Sequence, residues 1–233
     1  MNRFSLYILL IMLYLGLSKS FAPSEQKADY IQNEQVLSVY FKGAPIAVLM
    51  TDTIQAGFLI KTYYLKLKII NPFESYSEDV VVRTSAQFWE KNTGHIGMTI
   101  FRRKEDNAEY STLPLPPGAQ YIGDPAYGSW AYEDSGKKVW QFHKAYRRLY
   151  QEFYWGNFRP DFEFYEKLGI YLNNGTIFYG LNEEFGTNGS VTKENLLLNR
   201  AKNSDDLSTK HFKDFIKKYW LLPNQFKIGR GNS

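Results

Sequence analysis

Apolar and polar positions alternate along the first half of the chain, which is the pattern of β-strands. The alternation is clearest over residues 58–70, where Leu65, Leu67 and Ile69 share one face and lysines occupy much of the other. A period of two predicts a strand with one face on a core and the other in water. The same pattern predicts strands at residues 35–41, 46–50, 79–89 and 95–103. Residues 34–109 are therefore predicted to form an antiparallel sheet or a sandwich-like layer.

Helical spacing replaces the alternation after a proline-rich boundary. Prolines between Leu113 and Gly118 predict a stiff, extended connection. Beyond it, apolar residues three and four apart predict helices at residues 139–155, 160–172 and 208–220. A short strand is predicted at residues 176–180, and residues 192–199 fit either a short helix or a short strand. The predicted fold class is α+β, with an N-terminal antiparallel β-layer followed by an aromatic-rich segment that has about three helices.

The first twenty residues have the pattern of an export signal. Arg3 provides a positive charge, and residues 6–17 are apolar apart from Gly16. A helix of that length rises about 18 Å, which is too short for a bilayer core of about 30 Å. A cleaved signal peptide is therefore favoured over a retained anchor, with cleavage after Ser20 or after Ala22. We expect a periplasmic or secreted bacterial protein that has no transmembrane span once the signal is removed.

These patterns divide the chain into five regions. We predict a signal peptide at residues 1–20, a flexible leader at 21–33, a β-rich domain at 34–109, an aromatic-rich α/β segment at 110–222 and a flexible tail at 223–233. The sequence has no internal repeat and no long low-complexity run that would divide it further.

Composition narrows the classes of function. The chain has no cysteine, so a disulfide scaffold and a cysteine-acylated lipoprotein are excluded. The three histidines lack metal-site spacing, and neither a phosphate-binding glycine loop nor a GxSxG motif occurs, so no metal and no cofactor is predicted. Without Arg3 and Lys19 the chain has 26 Lys and Arg against 24 Asp and Glu, a net charge of +2. Nucleic acid is therefore not a predicted partner.

Aromatic residues make up 17% of the chain and are dense between Pro114 and Gly189, beside turn-forming and amide residues. A flat ring buries the CH face of a sugar, while neighbouring amides and carboxylates bind its hydroxyls. This combination predicts an envelope protein that binds glycan or another cell-wall polymer at a turn-rich surface. The same rings would also suit the core of a helix pair packed on a sheet. The candidate ligand-binding residues are Tyr121, Asp124, Tyr127, Trp130, Tyr179 and Asn182.

The sequence also allows two alternative functions. A glycan-cleaving hydrolase needs two carboxyl groups about 5–10 Å apart. Its candidate catalytic residues are Glu152, Glu183 and Glu184, although each of these acids also suits a solvated position. The other alternative is a structural or assembly component of an envelope or secretion complex, which would bind protein at the edge of its sheet.

Overall fold

A computed structural model describes residues 3–21, 28–57, 61–105 and 109–197. The helix predicted at residues 208–220 and the tail predicted at 223–233 lie outside the described residues, as do residues 22–27 of the predicted leader. Residues 3–21 belong to a different structural unit from the domain that begins at Asp29.

The N-terminal segment forms helix α1, Arg3–Phe21. Between Leu6 and Tyr14 its large apolar side chains are exposed, and they lie on all sides of the helix. Within the described part of the chain, no helix is long and apolar enough to cross a membrane.

The central sheet confirms the α+β fold class. Within the described residues its strands are β1 (Tyr30–Ile31), β2 (Ile46–Ala56), β3 (Thr62–Ile70), β4 (Glu78–Thr84), β5 (Thr99–Arg103) and β6 (Tyr110–Ser111). Their order is β1-β4-β3-β2-β5-β6, and neighbours are antiparallel except for β1 and β4, which are parallel. Thr51 is the extra residue of a β-bulge, because Met50 pairs with Leu67 while Asp52 pairs with Lys66.

Both faces of this sheet are covered. On β2, Ile46, Val48 and Met50 point into a core on the side of the short helices, the helix-side core, which also contains Leu37 and Phe88. The residues between them point the opposite way, into a second core that we call the aromatic core. That core is formed by Ala47, Leu49, Met98, Tyr121, Tyr127, Trp140, Phe142, Phe153, Trp155, Phe164 and their neighbours. The aromatic-rich segment therefore packs on the sheet and shares its core.

The strand predicted at residues 35–41 is wrong, since this segment forms helix α2, Glu34–Tyr40. The Asn33 side chain caps the helix by accepting a hydrogen bond from Val36 N–H at 3.3 Å. The apolar residues Val36, Leu37 and Tyr40 fit a helical face as well as an alternating one, so the pattern alone was ambiguous. The cap at Asn33 was the signal that distinguishes the two.

The strands predicted at residues 79–89 and 95–103 were too long. The strand predicted at residues 79–89 ends at Thr84, where Ser85 caps helix α3, Ala86–Asn92, by accepting a hydrogen bond from Phe88 N–H at 3.1 Å. The strand predicted at residues 95–103 begins only at Thr99, because Thr93–His95 is a turn of 3₁₀-helix. In both segments a helix begins or ends within a run of apolar residues. The apolar pattern of the sequence does not show at which residue this change occurs.

The long helix predicted at residues 139–155 is also wrong. A hairpin of β7 (Gly128–Tyr132) and β8 (Lys138–Phe142) occupies its start, with Trp130 opposite Trp140. A 3₁₀ turn (Lys144–Tyr146) and the single-turn helix α4 (Leu149–Glu152) follow. The hairpin closes at Gly136, whose φ of +78° is readily adopted by glycine. The turn signal at this glycine was therefore stronger evidence than the helical spacing beyond it.

The helix predicted at residues 160–172 is confirmed as α5, Phe162–Asn173. Asp161 is its N-cap and accepts a hydrogen bond from Phe164 N–H at 2.8 Å. Residues 176–180, predicted as a strand, have no strand partner in the described part of the chain. They lead into a loop that ends at helix α6, Ser190–Thr192, which continues as a π-helical turn to Leu197.

Candidate functional site

Two of the predicted ligand-binding rings lie in the core. Tyr121 is 1% exposed and Tyr127 is 7% exposed, and their ring centroids are 4.7 Å apart. Burial raises the pKa of the Tyr121 phenol far above its ordinary value. The burial of these two rings supports core packing, the other interpretation that the sequence allowed. Neither ring has an exposed face.

Asp124 stabilises the turn that precedes β7. Its carboxylate accepts a hydrogen bond from Ala126 N–H at 3.0 Å and forms an ion pair with Lys104 at 3.0 Å. Burial alone would raise the pKa of Asp124, but these two partners lower it below its ordinary value of 3.8. The aspartate therefore has a local structural role in the turn.

Trp130 remains partly exposed on β7. Its ring meets those of Phe162 and Tyr165 edge-on, at centroid distances of 5.2 and 5.5 Å. The ammonium group of Lys138 lies over the Phe162 ring, 4.4 Å from its centroid. Of the rings predicted between residues 121 and 130, Trp130 is the one that reaches the surface.

Tyr179 and Asn182 lie in the loop of residues 178–189, which contacts the 3₁₀ turn at Thr93–His95 and the residue after it. The half-buried ring of Tyr179 stacks on buried His95, with the centroids 6.2 Å apart. Thr187 N–H donates to Gly94 O at 3.0 Å, and the Thr187 hydroxyl accepts from Ile96 N–H at 3.2 Å. The loop therefore forms a fixed wall.

A cleft of about 580 Å³ opens between this wall and helix α5. We call it the α5 cleft. Its aromatic lining comes from Phe158, Phe164, Tyr171 and Phe178. Its polar and charged lining comes from Lys137, Arg159, Asp161, Glu163, Lys167, Asn182 and Glu184. Asn182 and Glu184 are thus brought together in one cavity, whereas Tyr121, Asp124, Tyr127, Trp130 and Tyr179 do not line it.

Helix α5 supplies one wall of the cleft through residues four apart. Glu163, Lys167 and Tyr171 occur at this spacing, so they lie along the same face of the helix. At 1.5 Å per residue they span about 12 Å. At the start of the helix, Asp161 is 3.4 Å from Lys137 Nζ, which connects the wall to the β7–β8 hairpin. In the sequence, Glu163 and Lys167 have the spacing of a solvent-exposed helix face, so the pattern alone did not indicate a site.

Glu184 is held against the loop wall by two hydrogen bonds from one residue. Its Oε2 accepts from Asn182 N–H at 3.0 Å, and its Oε1 accepts from Asn182 Nδ2 at 3.1 Å. The residue as a whole is buried, at 9% exposed, and its side chain lines the cleft. A Cβ on Gly180, whose φ is +107°, would overlap Glu184 Oε2. The loop therefore requires glycine at residue 180 for the carboxylate to reach its position.

Glu183, the neighbouring candidate acid, does not line the cleft. Its φ of +55° places it in the left-handed region, which costs a non-glycine residue about 1–2 kcal/mol. Its side chain is exposed. The left-handed backbone at Glu183 brings Asn182 and Glu184, on either side of it, within hydrogen-bonding distance.

Arg159 is fixed at one end of the cleft. Its Nη1 donates to Gly156 O at 2.8 Å and to Phe158 O at 2.7 Å. Its guanidinium lies 4.0 Å from the centroid of the Tyr150 ring. A guanidinium has five N–H donors, so donors remain for a ligand.

Glu152, the third candidate acid, lies outside the cleft. Its Oε2 is 2.7 Å from Lys68 Nζ on β3, and its Oε1 is 3.8 Å from Arg148. Burial alone would raise the pKa of Glu152, but the hydrogen bonds from Lys68 and Ser77 lower it below the ordinary value of 4.5. A carboxyl group with a lowered pKa is a poor general acid near neutral pH.

No group of three or more His, Cys, Asp or Glu side chains in the described residues is arranged to hold a metal ion. No family model matches the chain, and neither a curated protein nor a solved structure shows significant similarity to it. The geometry of the α5 cleft is therefore the basis for a functional proposal.

Proposed function

We propose that this protein is an exported envelope protein that binds a cell-wall polymer in the α5 cleft. The observation that carries the proposal is the carboxylate of the buried residue Glu184, held by two hydrogen bonds in a cavity of about 580 Å³. That volume falls within the range of ligand pockets, about 300–1,000 Å³. The strained residue Glu183 and the glycine required at residue 180 support a loop shaped for a ligand.

The lining of the cleft suits a polymer that carries sugar rings. Phe158 and Tyr171 supply flat apolar surface that can cover the CH faces of a ring. Asn182 and Glu184 supply a fixed amide and a fixed carboxylate that can bind hydroxyl or amide groups beside it. This mixture of rings and polar groups supports the glycan-binding interpretation of the sequence, but at a different surface from residues 121–130.

Delivery to the envelope is part of the proposal. Helix α1 is apolar on all sides between Leu6 and Tyr14 and follows the positive charge of Arg3. This combination supports a signal segment that directs a periplasmic or secreted protein.

Sedimentation with insoluble bacterial cell wall tests the proposal. We expect the purified protein to sediment with the wall, and Glu184→Gln to weaken binding about tenfold, because a charge-assisted hydrogen bond is worth about 1.5–3 kcal/mol. Glu90→Gln, at an exposed position of α3, is the matched control and should leave binding unchanged. Absence of binding to any cell-wall fraction would overturn the proposal and favour an assembly component that binds protein.

A second candidate function is cleavage of the bound glycan. The observation that favours it is that Glu163 and Glu184 line one cleft from α5 and from the loop wall. A pair of carboxyl groups on either side of a sugar is the requirement for glycoside hydrolysis. Release of new reducing ends from the wall, abolished in both Glu163→Gln and Glu184→Gln, would establish this activity. Binding without release would exclude it for the wall tested.

A further inference from the structure

The α5 cleft carries charges of both signs in equal number. Three cationic side chains, Lys137, Arg159 and Lys167, line it together with Asp161, Glu163 and Glu184. A neutral sugar is bound through hydroxyls and apolar faces and gains little from such an arrangement. Charges of both signs in one cavity are complementary to a ligand that is itself charged in both senses.

Part of this charge is already used within the protein. Asp161 caps α5 and contacts Lys137 at 3.4 Å. By contrast, no ion pair is found for Arg159, Glu163 or Lys167 with any of the described residues. These three side chains are therefore available to a ligand, together with Glu184.

Glu184 also has acceptor capacity left. A carboxylate offers about four acceptor positions. Asn182 occupies one on each oxygen. The remaining positions suit the several N–H donors of an ammonium group, which forms charge-assisted hydrogen bonds with a carboxylate.

The spacing along α5 matches an extended peptide. Glu163 and Lys167 are one turn apart, a rise of about 6 Å. An extended peptide advances about 3.3 Å per residue, so charges two residues apart match this separation. The 12 Å or so between Glu163 and Tyr171 accommodates about three to four such residues.

We propose that the α5 cleft binds the zwitterionic peptide portion of the cell-wall polymer, with an ammonium group at Glu184 and a carboxylate between Arg159 and Lys167. This inference rests on the proposed function and assigns the part of the polymer that is recognised. The partly exposed rings of Phe158 and Tyr171 then cover the adjoining sugar, and the charged side chains bind the peptide that it carries.

Three forms of the same polymer test the assignment. Intact insoluble peptidoglycan, the same glycan after enzymatic removal of its peptides, and intact peptidoglycan with its free amines acetylated are compared by sedimentation. We expect binding to intact material and a loss of about tenfold or more in each of the other two, since each loses charge-assisted hydrogen bonds. Acetylation changes only the ligand, so this result does not depend on the folding of a variant.

Variants on the protein side complete the test. Lys167→Gln, on the exposed wall of α5, should weaken binding of intact peptidoglycan, whereas Lys144→Gln, exposed on the 3₁₀ turn, should not. Soluble peptide fragments should compete with the intact polymer, and salt should weaken binding.

The outcomes separate this inference from the proposed function. Equal binding of the peptide-free glycan, or of the acetylated material, would overturn the inference and leave the polymer-binding proposal standing. Binding of soluble peptide without binding of the polymer would support the zwitterionic cleft and overturn the polymer proposal. Absence of binding to all of these probes would overturn both.

Discussion

Gly180 lies directly against the carboxylate of Glu184, so that a Cβ at residue 180 would overlap Oε2. Displacing this carboxylate would also break the two hydrogen bonds that it accepts from Asn182. The position of the acid in the α5 cleft thus depends on the absence of a side chain four residues before it.

Gly180→Ala should therefore damage both stability and binding. We expect the free energy of unfolding to fall by about 2–3 kcal/mol, through the positive φ and the displaced carboxylate together. Gly175→Ala is the matched control, because Gly175 also has a positive φ, +64°, but has open space around its Cα. It should cost about 1 kcal/mol and leave cell-wall binding unchanged. Denaturant titration of the two variants measures the difference, and equal losses would contradict the proposed overlap.

Lys68 and Glu152 form an ion pair that joins the sheet to α4. Because both side chains are mostly buried, at 13% and 18% exposed, removing one partner leaves a charge in a poor environment. Lys68→Met should lower the free energy of unfolding by about 2 kcal/mol. Lys91→Met removes the more exposed ion pair with Glu34 and should cost less than about 1 kcal/mol. Similar losses in both variants would show that burial does not strengthen the Lys68–Glu152 pair.

His95 should make the free energy of unfolding depend on pH at values below 6.5, the ordinary pKa of histidine. Burial and then the charge of Lys91 lower the pKa of His95 in the folded state. The unfolded chain therefore takes up a proton first, and stability should decrease as the pH falls from 6.5 to the lowered pKa. His95→Gln should remove this part of the pH dependence, and His143→Gln, at an exposed histidine, should retain it. Thermal unfolding between pH 7.5 and pH 5 provides the comparison, and parallel curves for wild type and His95→Gln would disprove the linkage.

Trp140 and Trp130 face each other on the hairpin but should differ in their contribution to stability. Trp140 is buried in the aromatic core, so Trp140→Ala should cost about 3–5 kcal/mol by leaving a cavity. Trp130 is half-exposed, and Trp130→Ala should cost less than half of that. Chemical denaturation measures both losses. If the Trp130 ring were instead a ligand platform, Trp130→Ala would abolish cell-wall binding, which the α5 cleft does not predict.

The sequence predicted those elements whose signals were local and unambiguous. The alternation of Leu65 and Leu67 identified β3, and apolar residues three and four apart identified α5. The hairpin of β7 and β8 was missed because Trp140 and Phe142 also belong to a helical pattern that continues to Phe153. Local periodicity cannot choose between two patterns that share the same rings, and tertiary packing decides between them.

The candidate site was only partly predictable for a related reason. Asn182 and Glu184 were identified from their turn-rich context, but Glu163 and Lys167 look like any solvated pair on a helix. They line the cleft because they face the loop wall, which is a relationship in space that spacing along the chain does not encode. Tyr121, predicted as a ligand contact, lies in the core, and a ring beside glycine and aspartate can occupy either a turn surface or a core.

The alternation of β2 between two cores has a consequence for insertions and deletions. Val48 and Leu49 are adjacent in the chain but belong to opposite sides of the sheet. Adding one residue before Val48 would turn the side chains on one side of the insertion to the opposite face of the sheet. Each of these side chains would then point into the core that does not fit its size. At Thr51 the bulge already separates two registers, so a length change there could be absorbed without exchanging either set. Variation in the length of this strand should therefore be confined to the few residues around Thr51.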